Sequence, residues 1–162
     1  MTLIDTSKCL PAGEGVLGSV EPTREHVSDI EFGWELLGQI VDMRIGNGMV
    51  VRERDVIAVE ATEGIVPLIR RAGKLCRRKG WVLLKSAGER DAAGGMPVVD
   101  VETIGELASA GGGCIAVSAT GVLLADKAAV IAAADRHRVA LVGVAEGIDD
   151  PGLRTRSEMP NP

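Results

Sequence analysis

The chain has 162 residues, a formal net charge of −5, two Trp, one Phe and no Tyr. That length suits one domain with a sizeable core, and the core must be aliphatic, which fits packed α/β layers. The acidic balance and the scarcity of stacking rings argue against a nucleic-acid partner.

Residues 1–22 carry Pro11, Gly13, Gly15, Gly18 and Pro22 and read as an irregular, connector-like lead-in. A helix from about Thr23 to Met43 follows, with Thr23 as N-cap and Glu25 and Asp29 near the positive end of its dipole. Val27, Ile30, Trp34, Leu37 and Val41 give it one apolar face. Beyond Gly46 and Gly48, residues 49–52 and 56–60 read as a hairpin turning at Glu53-Arg54-Asp55. A second helix spans roughly Ile65 to Arg78, burying Ile65, Leu68, Ile69, Ala72 and Leu75, and Gly80 stops it. Residues 81–85 form a short buried strand, and residues 86–95 a polar loop. Asp100 caps a helix to about Ala110, which Gly111, Gly112 and Gly113 break. Residues 114–117 are another buried strand, and Thr120-Gly121 turns into a strand at 122–124, a second hairpin. Asp126 caps a helix through His137, residues 139–144 form the last strand, and a flexible tail runs from Glu146. The fold class is α/β: a mixed β-sheet flanked by helices, in the order α-ββ-α-β-α-ββ-α-β, with its body at residues 23–145.

Cys9, Cys76 and Cys114 form no CxxC or CxxH pair, so neither a zinc site nor a disulfide framework is expected. No apolar run approaches the roughly 20 residues of a membrane span, and the N-terminus lacks a signal-peptide layout. The expectation is a cytoplasmic protein whose membrane contact is peripheral at most.

The stretch Glu60-Ala61-Thr62-Glu63-Gly64 lies where a strand ends and a helix begins, a place where side chains and free amides converge on a cleft. Glu60 and Glu63 are candidate ligands for a divalent metal. Thr62 is a candidate phosphate contact, or it caps the helix while Glu63 complements the dipole. Arg70 and Arg71 are candidate phosphate binders, although they leave the helix in different directions. The later run of Lys74, Arg77, Arg78 and Lys79 reads as a solvated face and helix-end cations. Lys85, at a strand end, could reach a phosphate or sit at the surface, and Asp91 in the loop is a candidate metal ligand or a solvated carboxylate. His26 and His137 have no partner pattern and are expected at the surface. No Walker, GxSxG or HExxH motif is present.

Several stretches resemble the C-terminal domain of LpxI-type UDP-2,3-diacylglucosamine pyrophosphatases. They include Ala12-Gly13-Glu14-Gly15-Val16-Leu17-Gly18, Asp29-Ile30-Glu31-Phe32-Gly33-Trp34 and Ala58-Val59-Glu60-Ala61-Thr62-Glu63-Gly64. Arg70-Arg71-Ala72-Gly73, Val82-Leu83-Leu84-Lys85 and Val142-Gly143-Val144 continue the match, which covers about Leu3 to Val144. The resemblance implies hydrolysis of a UDP-sugar lipid to lipid X and UMP in lipid A biosynthesis, with Mg²⁺ or Mn²⁺ as cofactor. On that basis Glu60, Glu63 and Asp91 are expected on metal, and Thr62, Gly64, Arg70, Arg71 and Lys85 on substrate.

Three departures accompany the match. The resemblance begins at the family's connector, so the expectation is a chain without the family's N-terminal domain, which builds one side of the cleft. The family's catalytic Asp, two residues before a Pro, aligns with Gly95 ahead of Met96-Pro97, and Gly supplies neither ligand nor base. Ile65-Val66 stand where the family has Thr-Asp. Two functional classes therefore stay open: a pyrophosphatase that works with a separate chain carrying the missing half, and a non-catalytic ligand-binding or assembly module. A homodimer formed over the face that the N-terminal domain would cover is a third possibility.

Overall fold

The computed structural model describes residues 6–87 and 96–145. After a 3₁₀ turn at Thr6–Lys8, the elements are β1 (Cys9–Pro11), β2 (Gly15–Val16), α1 (Arg24–Asp42), β3 (Gly48–Arg52), β4 (Asp55–Glu60), α2 (Ile65–Leu75) and β5 (Trp81–Lys85). Then come β6 (Val98–Val99), α3 (Val101–Ala110), β7 (Gly112–Ser118), β8 (Leu123–Ala125), α4 (Lys127–His137) and β9 (Ala140–Val144). They build a six-stranded sheet of order β2-β9-β7-β5-β3-β4 and a three-stranded sheet of order β1-β8-β6.

Strands β5, β7 and β9 are parallel neighbours. Strand β3 runs against both β5 and β4, and β2 runs against β9. Strands β4, β5, β7 and β9 therefore all point their carboxyl ends to one edge, where Gly48 faces both Glu60 and Lys85.

The strands read as continuous apolar runs because both faces of the sheet are covered. Side chains alternate between two cores. Val50, Trp81, Leu83, Ile115, Val117 and Leu141 pack under α2, α3 and α4. Met49, Val51, Val82, Leu84, Cys114 and Val142 pack under α1. Gly33 lets α1 approach closely: a Cβ there would meet Leu84 Cδ1 at 2.4 Å and Val51 Cγ2 at 2.9 Å.

Four local expectations are corrected. Residues 9–11 and 15–16 are not irregular, because backbone partners distant in sequence pull them into strands. Cys9, Leu10 and Pro11 pair with β8, Gly15 and Val16 with β9, and Ala12 is fully buried. The second hairpin does not form. After Ser118 the chain turns out of the main sheet, with Val122 donating to the Ser118 carbonyl, and β8 pairs with β1 and β6 instead. Helix α2 stops at Leu75, which is 61% exposed rather than buried. His26 is buried at 9% exposure, while His137 is exposed as expected.

The β3–β4 turn places Glu53 and Arg54 at φ of 52° and 60°, the left-handed conformation of a tight hairpin where Asn-Gly is usual. The buried Asp29 carboxylate compensates by accepting from both amides, at 3.1 Å from Glu53 and 2.7 Å from Arg54. The sequence reading gave Asp29 to the helix dipole; its structural partner is the turn.

Candidate functional site at the carboxyl edge of the sheet

The carboxyl ends of β4 and β5 flank the first residue of β3. Lys85 ends β5 and Glu60 ends β4; both are 6% exposed, and Lys85 Nζ lies 2.7 Å from Glu60 Oε2. Lys85 Nζ also donates to Asn47 Oδ1 at 2.7 Å. Burial of two opposite charges is tolerated because each neutralises the other and both are hydrogen-bonded.

The close approach has a local cause. A Cβ at position 46 would lie 1.7 Å from the Glu60 carbonyl oxygen, and one at position 48 would lie 2.2 Å from Glu60 Oε2. Only glycines on either side of Asn47 let the chain enter β3 beside Glu60.

Helix α2 starts five residues after Glu60. Its N-cap is Gly64, at φ 92°, and no side chain caps it. Leu68 closes the first turn onto the Gly64 carbonyl, and Pro67 carries no N–H. Among the described residues the amides of Ile65 and Val66 thus begin the helix without a side-chain partner, the arrangement that attracts anions. Thr62 is exposed and is not the cap.

Of the other expected residues, Glu63 is ion-paired with Arg71, and Arg71 also donates to the Val59 carbonyl at 2.7 Å. Arg71 therefore stays close to the end of β4. Arg70 turns away to α3, where it grips Glu106 through Nε at 3.1 Å and Nη2 at 2.6 Å. That grip holds the Glu106 carboxyl below the ordinary carboxylate value. Arg78, beyond the end of α2, reaches Glu53 in the β3–β4 turn at 2.9 Å, at the opposite end of the sheet. Asp91 and Gly95 lie outside the described residues.

A divalent cation such as Mg²⁺ or Mn²⁺ takes about six to eight oxygen ligands, depending on the ion. Among the described residues no three His, Cys, Asp or Glu side chains converge. Glu60 and Glu63 are each already engaged by a cation, so the described residues by themselves do not fit such an ion.

Asn47 is the residue that the sequence reading passed over. Its signal was present as Gly46-Asn47-Gly48, which reads as a helix stop until the strand pairing shows which side chains crowd the two glycines.

A model of the family described as the LpxI C-terminal domain matches residues 13–142. The UDP-2,3-diacylglucosamine pyrophosphatase LpxI of Caulobacter vibrioides is 36% identical over 143 residues, which cover 83% of this chain and 50% of that protein. The chain thus spans about half the length of this curated relative. The matched region takes in every element from α1 to α4, the glycine-flanked Asn47 and the Lys85–Glu60 pair among them. With well over half of its length matched, the chain belongs to the LpxI C-terminal domain family.

Proposed function

We propose that the chain acts in lipid A biosynthesis as the substrate-binding half of a divided pyrophosphatase, holding the diphosphate of UDP-2,3-diacylglucosamine at the carboxyl edge of the sheet. The observation that carries this reading is the buried Lys85, fixed by Glu60 and Asn47 next to a helix whose first amides no side chain caps. A fixed ammonium and uncapped amides together suit phosphoryl oxygens. Thr62 adds a hydroxyl near the Gly64 turn, and Arg71 adds a guanidinium at the end of β4.

Hydrolysis to lipid X and UMP needs more than this. A bound Mg²⁺ or Mn²⁺ would polarise the phosphoryl oxygens and lower the pKa of water, and the expected ligand Asp91 lies outside the described residues. The two described acidic candidates, Glu60 and Glu63, are ion-paired, and Gly95 brings no carboxylate. In this reading a separate chain, equivalent to the half of the relative that this one does not span, completes the cleft. The same observations favour a second reading, a binding module with no turnover.

Calorimetric titration with UDP-2,3-diacylglucosamine, paired with a UMP-release assay in Mn²⁺, separates the cases. The divided enzyme gives binding but no release alone, and release when the N-terminal half of the Caulobacter relative is added. The module gives binding and no release in either mixture. Metal-dependent release by the chain alone, lost in Glu60→Ala, would sink both readings, and absence of binding would remove the substrate assignment itself.

A further inference from the structure

We infer that Asn47 is the positioning residue for Lys85: it holds the buried ammonium on Glu60 and leaves one N–H for a phosphoryl oxygen. The ligand in this statement rests on the function proposed above; the positioning does not. An ammonium has three N–H donors on a flexible four-carbon stem, so it points nowhere in particular unless it is fixed. Among the described residues, Glu60 Oε2 and Asn47 Oδ1 take two of the three donors, each at 2.7 Å. Asn47 also grips the chain just beyond Lys85, because its carbonyl accepts from the Ser86 amide at 2.9 Å. One residue therefore fixes both ends of the lysine, its ammonium and the backbone that follows it. The flanking glycines set the height of that grip, since a Cβ on either would strike Glu60.

The neutrality of Asn47 matters as much as its oxygen. Among the described residues Glu60 alone balances the charge of Lys85, so the pair with Asn47 is neutral and tolerates an incoming anion. A second carboxylate at position 47 would keep the acceptor and make the cluster anionic. Asn47→Asp should thus keep an acceptor for Lys85 and still bind the diphosphate less well, which a purely structural role for Asn47 does not produce.

The test has a ligand arm and a ligand-free arm. In titrations with UDP-2,3-diacylglucosamine, Asn47→Ala should weaken binding by about tenfold, the scale of one hydrogen bond to a charged group, and Asn47→Asp by at least as much. In a Lys85→Met/Glu60→Gln background, chosen so that no unpaired charge is buried, adding Asn47→Ala should change nothing further. In the ligand-free arm, acetic anhydride labelling read by mass spectrometry should modify Lys85 about tenfold faster in Asn47→Ala than in the parent protein, with the surface lysines unchanged. Faster labelling of Lys85 without any ligand binding by the parent protein would overturn the substrate reading and leave the positioning role standing. Unchanged Lys85 labelling, or an undiminished effect of Asn47→Ala in the double-variant background, would overturn the positioning role.

Discussion

His26 occupies the place that Glu or Gln takes in an ordinary capping box. The Thr23 amide donates to His26 Nδ1 at 3.2 Å, and the His26 amide donates to Thr23 Oγ1 at 3.1 Å. Because Nδ1 accepts, the proton sits on Nε2, which donates to the Gly80 carbonyl at 3.1 Å. Burial pushes the imidazole below its ordinary value of 6.5. The folded state thus takes up the proton less readily than the unfolded chain. The stabilisation is fully present above about pH 6.5 and is lost as the pH falls from there through the lower folded value. Urea midpoints measured between pH 8 and pH 5 should fall on the acid side, and His26→Gln, which keeps a box-forming side chain, should flatten that fall. An equal fall in both proteins would assign the effect to other groups. Sequence alone put His26 in the first turn of a helix, where side chains usually meet solvent. What buries it is Gly80, 54 residues away, and no local pattern announces that. Lys85 and Glu60 were legible as strand-end residues, because each closes a short apolar run.

Helix α1 shows how two glycines in one element differ. Gly33 faces the sheet against Leu84 and Val51, whereas a Cβ at Gly38 would meet nothing within 4 Å. Gly33→Ala should cost about 1–3 kcal/mol through overpacking, and Gly38→Ala should stabilise by about 0.5–1 kcal/mol through helix propensity. Chemical denaturation of both variants checks the pair, and similar shifts would mean that α1 does not pack as described. The β3–β4 hairpin depends on an element other than its own. Asp29→Ala should lose about 2–3 kcal/mol, the order of a charge-assisted hydrogen bond plus the cost of stranding two turn amides. Asn at 53 with Gly at 54 should restore part of it, because those residues accept the left-handed turn unaided. No restoration would show that Asp29 acts elsewhere. The apolar runs of β4, β5, β7 and β9 and the capped starts of α1, α3 and α4 were readable because a whole element repeats its pattern. Strands of two or three residues such as β1, β2 and β6 are too short to carry a period, so only their distant partners define them.

Across the whole chain, the six-stranded sheet has three helices on one face and one on the other. Cys114 sits in β7, inside the sheet and under α1, and burial pushes its thiol far above the ordinary range, whereas Cys9 and Cys76 are half-buried. Iodoacetamide should therefore label Cys9 and Cys76 in the native protein and Cys114 only through global opening, with the same urea midpoint as circular dichroism. Labelling of Cys114 as fast as that of Cys76 would mean that the sheet opens locally. Among the described residues no helix is long and apolar enough to cross a membrane, in line with the hydropathy of the sequence.

The sequence by itself determined the α/β class, the order of the longer elements, the family, and the acidic strand-to-helix junction. All of these depend on short-range patterns: apolar periodicity, capping residues and motif spacing. Only the tertiary structure decided that residues 9–11 and 15–16 belong to the sheets, that β8 leaves the main sheet, and that Arg70 and Arg71 serve different partners. It also decided that Asn47 and Glu60 share Lys85. These facts depend on backbone and charge pairings between residues far apart in the chain. Such pairings are selected by which groups must be satisfied once the sheet has closed over them, and that demand does not exist until the fold does.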